Sequence, residues 1–182
     1  MNHYLLPRPL ARLLARRGHG IHSPFVFDLV TNLLRQRATY YAFLDLPPVP
    51  PRERALCHLL FRLADRYDYR RVLLVGDSVE HPSRYLLALS SRALLLDDAL
   101  SSPPWQLFHA GPLLHLPSPS DLDRWLSLRA APSCAVISSL RTHPANRLLW
   151  RHFLPVSRVS INASRHGLLF FDPRLQPGHY FI

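Results

Sequence analysis

Lysine is absent from this sequence of 182 residues, so all 22 basic residues are arginine, against 12 acidic residues. The use of arginine in place of lysine, with many leucines and few isoleucines, is typical of a G+C-rich genome. Codon bias can therefore explain the high arginine content without a function. The net charge of +10 still produces a positive field that attracts polyanions. One interpretation of the chain is therefore a basic protein that binds RNA or an anionic membrane surface, and such binding would fall steeply with added salt.

Cysteine is also scarce, and the only two are Cys57 and Cys134. Two cysteines are too few for a disulfide framework, so a reducing cytoplasm is the expected compartment. Cys57 lies on a predicted helix between apolar residues, and Cys134 begins a predicted strand. Both positions are typical of small buried hydrophobic residues rather than of a nucleophile.

Long apolar runs are missing, which argues against a membrane-spanning helix. The first 20 residues are interrupted by four arginines and contain no apolar stretch of signal-peptide length, so no secretion signal is expected. These observations favour a cytoplasmic protein.

Several motifs of common enzyme classes are absent as well. The sequence contains no Gly-x-Ser-x-Gly elbow, no phosphate-binding Walker loop and no Gly-x-Gly-x-x-Gly. No Ser-His-Asp arrangement can be assigned. His19 and His22 have a spacing that could suit a metal, but Gly20 lies between them and no third ligand is near, so we predict no metal site.

The N-terminal third is predicted to be helical. Residues 1–17 carry leucines and arginines on separate faces of an amphipathic helix. Ser23 and Pro24 are typical of a helix start, and they predict a second helix that reaches about Arg35. The proline-rich segment 47–51 predicts an extended linker. The chain thus divides into an N-terminal helical extension (1–46), this linker and an α/β domain (52–182).

The α/β domain is predicted from alternating strands and helices. After a helix over 52–67, strands are expected at 71–75, 93–96, 106–110 and 134–138, with helices at 82–90, 121–129 and 146–153. Ser120 or Asp121 would cap the second of these helices. Two late strands (157–161 and 168–171) and an edge (179–182) follow. This alternation predicts a parallel sheet covered on both faces, with the late hairpin as its one antiparallel element. Which late strand lies beside the fourth strand stays open.

Chemistry is expected where the strands end. The first strand ends in Gly76, Asp77 and Ser78, and the next strand ends in Asp97 about 20 residues later. A glycine at such an end lets a ligand approach the backbone, and an acid on the neighbouring strand can accept the hydroxyls of a ribose. An ordinary tight turn with solvated acids has the same pattern, so spacing alone leaves both interpretations open.

Three blocks of the sequence resemble a known family. Residues 17–29 contain His19-Gly20-Ile21-His22-Ser23-Pro24-Phe25, which is similar to the N-terminal His-Gly-x-His-Ser-Pro-Phe motif of a bacterial group of class I S-adenosylmethionine (SAM)-dependent methyltransferases. Residues 71–78 resemble the glycine-rich first loop of that group, and residues 167–171 with 179–182 resemble its last hairpin. The resemblance implies a Rossmann-like three-layer sandwich with a shortened C-terminal half.

The resemblance also implies site residues. Gly76, Asp77 and Ser78 match the cofactor loop, and Asp97 matches the acid that binds the ribose of SAM. His19 and His22 either lie near the substrate or serve in helix capping and packing. His143 alone could replace the Asp-Gly-x-His-like sequence that the family has after its fourth strand.

The departures from the family pattern concern the cofactor. Leu74 replaces the acid before the first glycine, residues 79–82 replace further glycines, and Pro112 replaces the acid near the adenine. Removing one polar anchor from a ligand site weakens binding by about 1–3 kcal/mol. The sequence therefore predicts a degenerate methyltransferase-like protein with weak or absent SAM binding and an unknown methyl acceptor. The alternative is a non-catalytic interaction or assembly protein on the same fold, with a protein partner or a second copy of itself.

Overall fold

A computed structural model describes residues 21–36, 40–77, 79–89, 95–97, 104–163 and 165–182, with the backbone alone for 95–97. The amphipathic helix predicted over 1–17 lies outside these ranges, as do His19 and Ser78. Within them, none of the helices combines the length and the apolar character needed to cross a membrane.

Seven strands form a single mixed sheet in the order β2-β1-β3-β4-β6-β5-β7. β1 to β4 are parallel to one another, whereas β6 is antiparallel to both β4 and β5. The question left open by the sequence is thereby answered, since β6 lies beside β4. The strands are β1 (Arg71–Val75), β2 (Leu95–Asp97), β3 (Trp105–Ala110), β4 (Arg129–Ile137), β5 (Val159–Ala163), β6 (His166–Phe170) and β7 (Gly178–Phe181).

Helices cover both faces of the sheet. Their bounds are α1 (Pro24–Asp28), continued as a π-helix (Leu29–Leu34), a 3₁₀ turn (Tyr41–Phe43), α2 (Pro51–Arg66), α3 (Glu80–Leu87), α4 (Pro119–Ser127), α5 (Pro144–Phe153) and a second 3₁₀ turn (Leu154–Val156). Buried residues of α1, α2 and α3 share one apolar core, and those of α4 and α5 share the other. The predicted Rossmann-like three-layer sandwich is confirmed.

The parallel strands are apolar on both faces because both faces are buried. In β1, Leu74 belongs to the core beneath α2, and Leu73 belongs to the core beneath α4 and α5. Neighbouring β3 repeats this division with Leu107 and Phe108. Short, continuous apolar runs are the expected signature of such strands, which explains why the sequence located them.

The N-terminal elements pack on α2. Ser23 caps α1 as predicted, and its Oγ accepts a hydrogen bond from the backbone N–H of Val26. Arg66 near the end of α2 pairs with Asp28 at 3.2 Å, and Arg62 donates to the carbonyl of Leu33 at 3.3 Å. α2 is amphipathic and buries eight of its 16 residues.

Several bounds predicted from the sequence differ from the observed ones, and two of these errors have a clear physical reason. α4 is capped by Ser118, not by Ser120 or Asp121, because Ser118 and Asp121 form a reciprocal capping box through Ser118 Oγ and the Asp121 carboxylate. β4 begins at Arg129, five residues before Cys134, because its first four residues are exposed or half-buried and include alanines and a proline in place of the apolar run typical of a buried strand.

Candidate functional site

The carboxyl ends of β1, β3 and β4 lie at one edge of the sheet, which we call the carboxyl edge. The chain leaves β1 for β2 on one side and returns to β3 on the other side, so the winding direction switches between β1 and β3. Ligands of open α/β sheets bind outside the carboxyl ends of the strands at such a switch point. The gap between the β1 and β3 loops is therefore the place to test first.

The loops after β1 and β3 contact each other directly across this gap. Gly76 has φ +113°, and a Cβ built there would lie 2.9 Å from the carbonyl oxygen of Pro112. The backbone N–H of Asp77 donates to that same oxygen at 3.1 Å. Asp77 Oδ2 also accepts a hydrogen bond from the backbone N–H of Leu114 at 3.1 Å. The two loops are thus joined where a nucleoside would enter.

The structure shows less of the two other predicted cofactor residues, Ser78 and Asp97. Ser78 lies outside the described residues. Asp97 is the last residue of β2, and its Cα pairs with Leu73 in the middle of β1. The backbone of Asp97 therefore lies two positions before the end of β1, on the side of β1 opposite to β3.

Asn146 joins the loop after β3 to the loop after β4. The side chain is fully buried, and its Nδ2 donates to the carbonyls of Gly111 at 2.7 Å and Ser138 at 2.9 Å. Its Oδ1 accepts from the backbone N–H of Leu113 at 3.0 Å. Sequence reasoning missed this residue. The one indication in the sequence is that Asn146 is an amide in the first turn of an amphipathic helix, on the same buried face as Leu149.

A second group that the sequence did not indicate lies on the α2 side of the carboxyl edge. His109 at the end of β3 is fully buried, and its Nε2 shares a hydrogen bond of 3.1 Å with Ser138 Oγ. The Nδ1 atoms of His109 and His166 are buried and have no hydrogen-bond partner among the described residues. The available signal was a histidine within the apolar run of β3.

Both histidines are neutral near pH 7. Burial, with a smaller contribution from the neighbouring His166, lowers the pKa of His109 from 6.5 to about 3. Burial, followed by the charge of Arg165, lowers the pKa of His166 from 6.5 to about 4. A neutral imidazole has one donor and one acceptor nitrogen, so this pair offers hydrogen bonds without adding charge.

These side chains line a cavity of about 530 Å³, which we call the edge cavity. Its walls are the ends of β3 and β4, the start of β6, the first turn of α2 and Pro82 of α3. Gly111 and Pro112 line the cavity, whereas Gly76 and Asp77 do not. Among the described residues, the edge cavity thus lies over β3 and β4.

The chain enters a packed helix directly after the β1 loop. Val79 is the N-cap residue of α3, and residues 80–82 form its first turn, at positions where the resemblance implies glycines. His81 Nδ1 donates to Glu53 Oε2 of α2 at 2.7 Å, and Pro82 is buried. The first turn of α3 is thus joined to the first turn of α2.

Two of the histidines that the resemblance indicated, His22 and His143, lie apart from each other, and His19 lies outside the described residues. His22 is exposed beside the cap of α1, where Phe25 packs on Phe170 at 5.0 Å between ring centroids. Phe170 pairs with Cys134 near the amino end of the buried part of β4, so the structure does not bring His22 to the carboxyl edge. His143 precedes α5 at that edge, and its Nδ1 lies 2.8 Å from Thr142 Oγ1.

The cysteines do not belong to this site. Cys57 and Cys134 are both buried and free, as predicted. Burial, together with the charge of Glu53, raises the pKa of Cys57 to about 12, and burial raises the pKa of Cys134. Neither is a thiolate near pH 7. Across the described ranges, no three His, Cys, Asp or Glu side chains converge to hold a metal ion.

Neither a protein-family model nor a curated protein matches the chain. Among solved structures, the chain is similar to the O-methyltransferase TomG from Streptomyces achromogenes, which is involved in tomaymycin synthesis and was crystallised with SAM. The sequences are 14% identical, the match covers 84% of this chain and 95% of that chain, and the TM-score is 0.43. This likeness is too distant to support a function, which has to be inferred from the geometry of the carboxyl edge.

Proposed function

We propose that this protein is a degenerate class I methyltransferase-like protein that binds SAM weakly or not at all and acts by binding other molecules. The observation that carries this proposal is the direct contact between the loops after β1 and β3. Asp77 donates its backbone N–H to Pro112 and accepts from Leu114 through its carboxylate. A nucleoside at the switch point would have to separate these groups.

The residues at this place do not fit SAM well for a second reason. Methyl transfer needs chiefly a bound and positioned cofactor, because SAM itself carries the reactive group. Of the polar anchors that the resemblance implies, Asp77 already bonds the β3 loop, and Pro112 has neither an acid nor a backbone N–H. Asp97 is the one remaining candidate for a ribose contact, and Ser78 is the other polar side chain that the resemblance assigns to the cofactor loop. So few anchors support weak binding at best.

Isothermal titration with SAM tests the proposal. We expect no saturable heat with SAM at concentrations up to about 1 mM, which corresponds to a binding free energy weaker than about 4 kcal/mol. Asp97→Ala and its neighbour Asp98→Ala serve as a matched pair of variants. Micromolar binding that Asp97→Ala weakens at least tenfold and Asp98→Ala leaves unchanged would overturn the proposal in favour of an active methyltransferase.

A further inference from the structure

The edge cavity has a rim of positive charge. Arg52 in the first turn of α2, Arg141 after β4 and Arg165 before β6 all line it, and all three are exposed. Within the described ranges, none of these guanidinium groups is in a salt bridge. Glu53 also lines the cavity, but its carboxylate accepts the hydrogen bond from His81. Three cations from three separate elements thus face one opening that holds a single acid, Glu53.

The floor of the cavity is polar and uncharged. His109 is fully buried there, and its Nδ1 has no hydrogen-bond partner among the described residues. His166, two strands further along the edge, is half-buried as a whole, but its Nδ1 is likewise buried and has no hydrogen-bond partner among the described residues. Buried polar nitrogens are nearly always hydrogen-bonded in folded proteins. The floor directly beneath the cavity therefore has hydrogen-bonding capacity that the described part of the protein does not use.

Two backbone features add to this arrangement. The 16-residue helix α2 starts at the cavity, so the positive end of its dipole faces the same space as Arg52. Ser139, which also lines the cavity, has φ +55°. This left-handed conformation costs about 1 kcal/mol or more for a residue other than glycine. The loop that carries Arg141 is thus held in a strained conformation, with Asn146 bonded to its first residue, Ser138.

We propose that the edge cavity binds a small molecule through an oxyanion group, a phosphate or a carboxylate, held by Arg141 and Arg165 at the rim, with the body of the ligand lying over the ring of His109. Guanidinium groups bind phosphate and carboxylate oxygens through paired, charge-assisted hydrogen bonds. The cavity volume of about 530 Å³ suits a metabolite rather than a macromolecule. The proposal goes beyond the proposed function and does not depend on whether SAM binds.

Titration calorimetry at low ionic strength, with pyrophosphate and with citrate as separate probes, tests the site. We expect saturable one-site binding of at least one probe, and the preferred probe identifies phosphate or carboxylate as the ligand group. Arg141→Gln and Arg165→Gln should each weaken this binding about tenfold, the effect of removing one charge-assisted hydrogen bond. Both side chains are exposed, so the variants should fold.

Arg124→Gln is the matched control, because Arg124 is equally exposed but lies on α4, on the other face of the sheet. It should leave the affinity within a factor of about two. No saturable binding of either probe up to about 10 mM overturns the proposal. An equal weakening in Arg124→Gln, or unchanged affinity in both cavity variants, overturns it as well, because the binding would then be nonspecific or elsewhere.

Histidine ring signals in NMR spectra give a readout that needs no destabilising substitution. Saturation with the bound probe should shift the ring resonances of His109 and not those of exposed His115. Unmoved His109 resonances at saturation would contradict the proposed floor contact. Failure of the proposed function is recognised separately, because it requires SAM binding that depends on Asp97 and says nothing about these anions.

Discussion

The carboxylate of Asp77 accepts a hydrogen bond from the backbone N–H of Leu114 at 3.1 Å, so the loop after β1 is joined to the loop after β3. An acid that the family resemblance assigns to a cofactor contacts the protein's own backbone. We therefore expect Asp77→Ala to lower the free energy of unfolding by about 1 kcal/mol, the net contribution of one hydrogen bond. Urea denaturation measures this decrease.

Asp77→Asn is the informative comparison for that variant. The amide oxygen can still accept from Leu114, so most of the stability should return. A decrease in SAM affinity in Asp77→Ala without any decrease in stability would instead assign Asp77 to a cofactor.

Asn146 should be among the most sensitive polar residues of the described chain. Asn146→Ala leaves Gly111 O, Ser138 O and Leu113 N without their partner in a buried place. We expect the unfolding free energy to fall by about 3 kcal/mol, the usual result of breaking a buried hydrogen-bond network. Asn32→Ala removes only one exposed side-chain hydrogen bond and should cost less than about 0.5 kcal/mol. Similar decreases in both variants would refute the bridging role of Asn146.

Gly76 is constrained by both its conformation and its neighbour. Alanine there would hold φ +113° and place its Cβ 2.9 Å from a backbone oxygen that cannot easily move. We expect Gly76→Ala to cost about 2 kcal/mol or more in thermal or urea unfolding. At Gly178 a new Cβ would meet only the tip of the Tyr180 side chain. Gly178→Ala should therefore be much milder, and a Gly76→Ala variant that is equally mild would show that the β1 and β3 loops can separate.

The stability of the protein should fall as the pH is lowered below 6.5. The unfolded chain takes up a proton on His109 near pH 6.5, whereas folding lowers the pKa of this group to about 3. Above pH 6.5 His109 is neutral in both states, and its burial then takes nothing from the free energy of unfolding. As the pH falls from 6.5 towards 3, protonation of His109 in the unfolded chain lowers this free energy. Between pH 7 and pH 5 the decrease due to His109 is about 2 kcal/mol.

Denaturant unfolding of His109→Gln at several pH values checks this. The variant should lose stability less steeply between pH 7 and pH 5 than the parent does, whatever its absolute stability. His115→Gln, at an exposed position, should keep the parent slope. If the unfolding free energy of all three proteins changed equally with pH, His109 would not be held neutral by burial.

Much of the fold could be predicted from local patterns. Continuous apolar runs located β1 and β3 because strands buried on both faces need apolar residues throughout. Ser23 and Pro24 indicated the start of α1 because capping depends only on neighbouring residues. Where the apolar pattern was missing, as at the exposed Arg-Ala-Ala-Pro start of β4, or where several serines could cap a helix, as before α4, the predicted boundaries were displaced.

The candidate site could be predicted only in part. A glycine and an acid after an apolar strand pointed to the carboxyl edge, because the position of a loop in an α/β sheet follows from the order of elements. The sequence alone thus determined the layered α/β architecture and the basic charge, and it indicated the carboxyl edge as the place of a candidate site. Only the tertiary structure decided that Asp77 bonds the β3 loop and that Arg52, Arg141 and Arg165 surround one cavity with His109 and His166. The reason is that these groups lie far apart along the chain, and no local pattern of the sequence records which side chains long-range packing brings together.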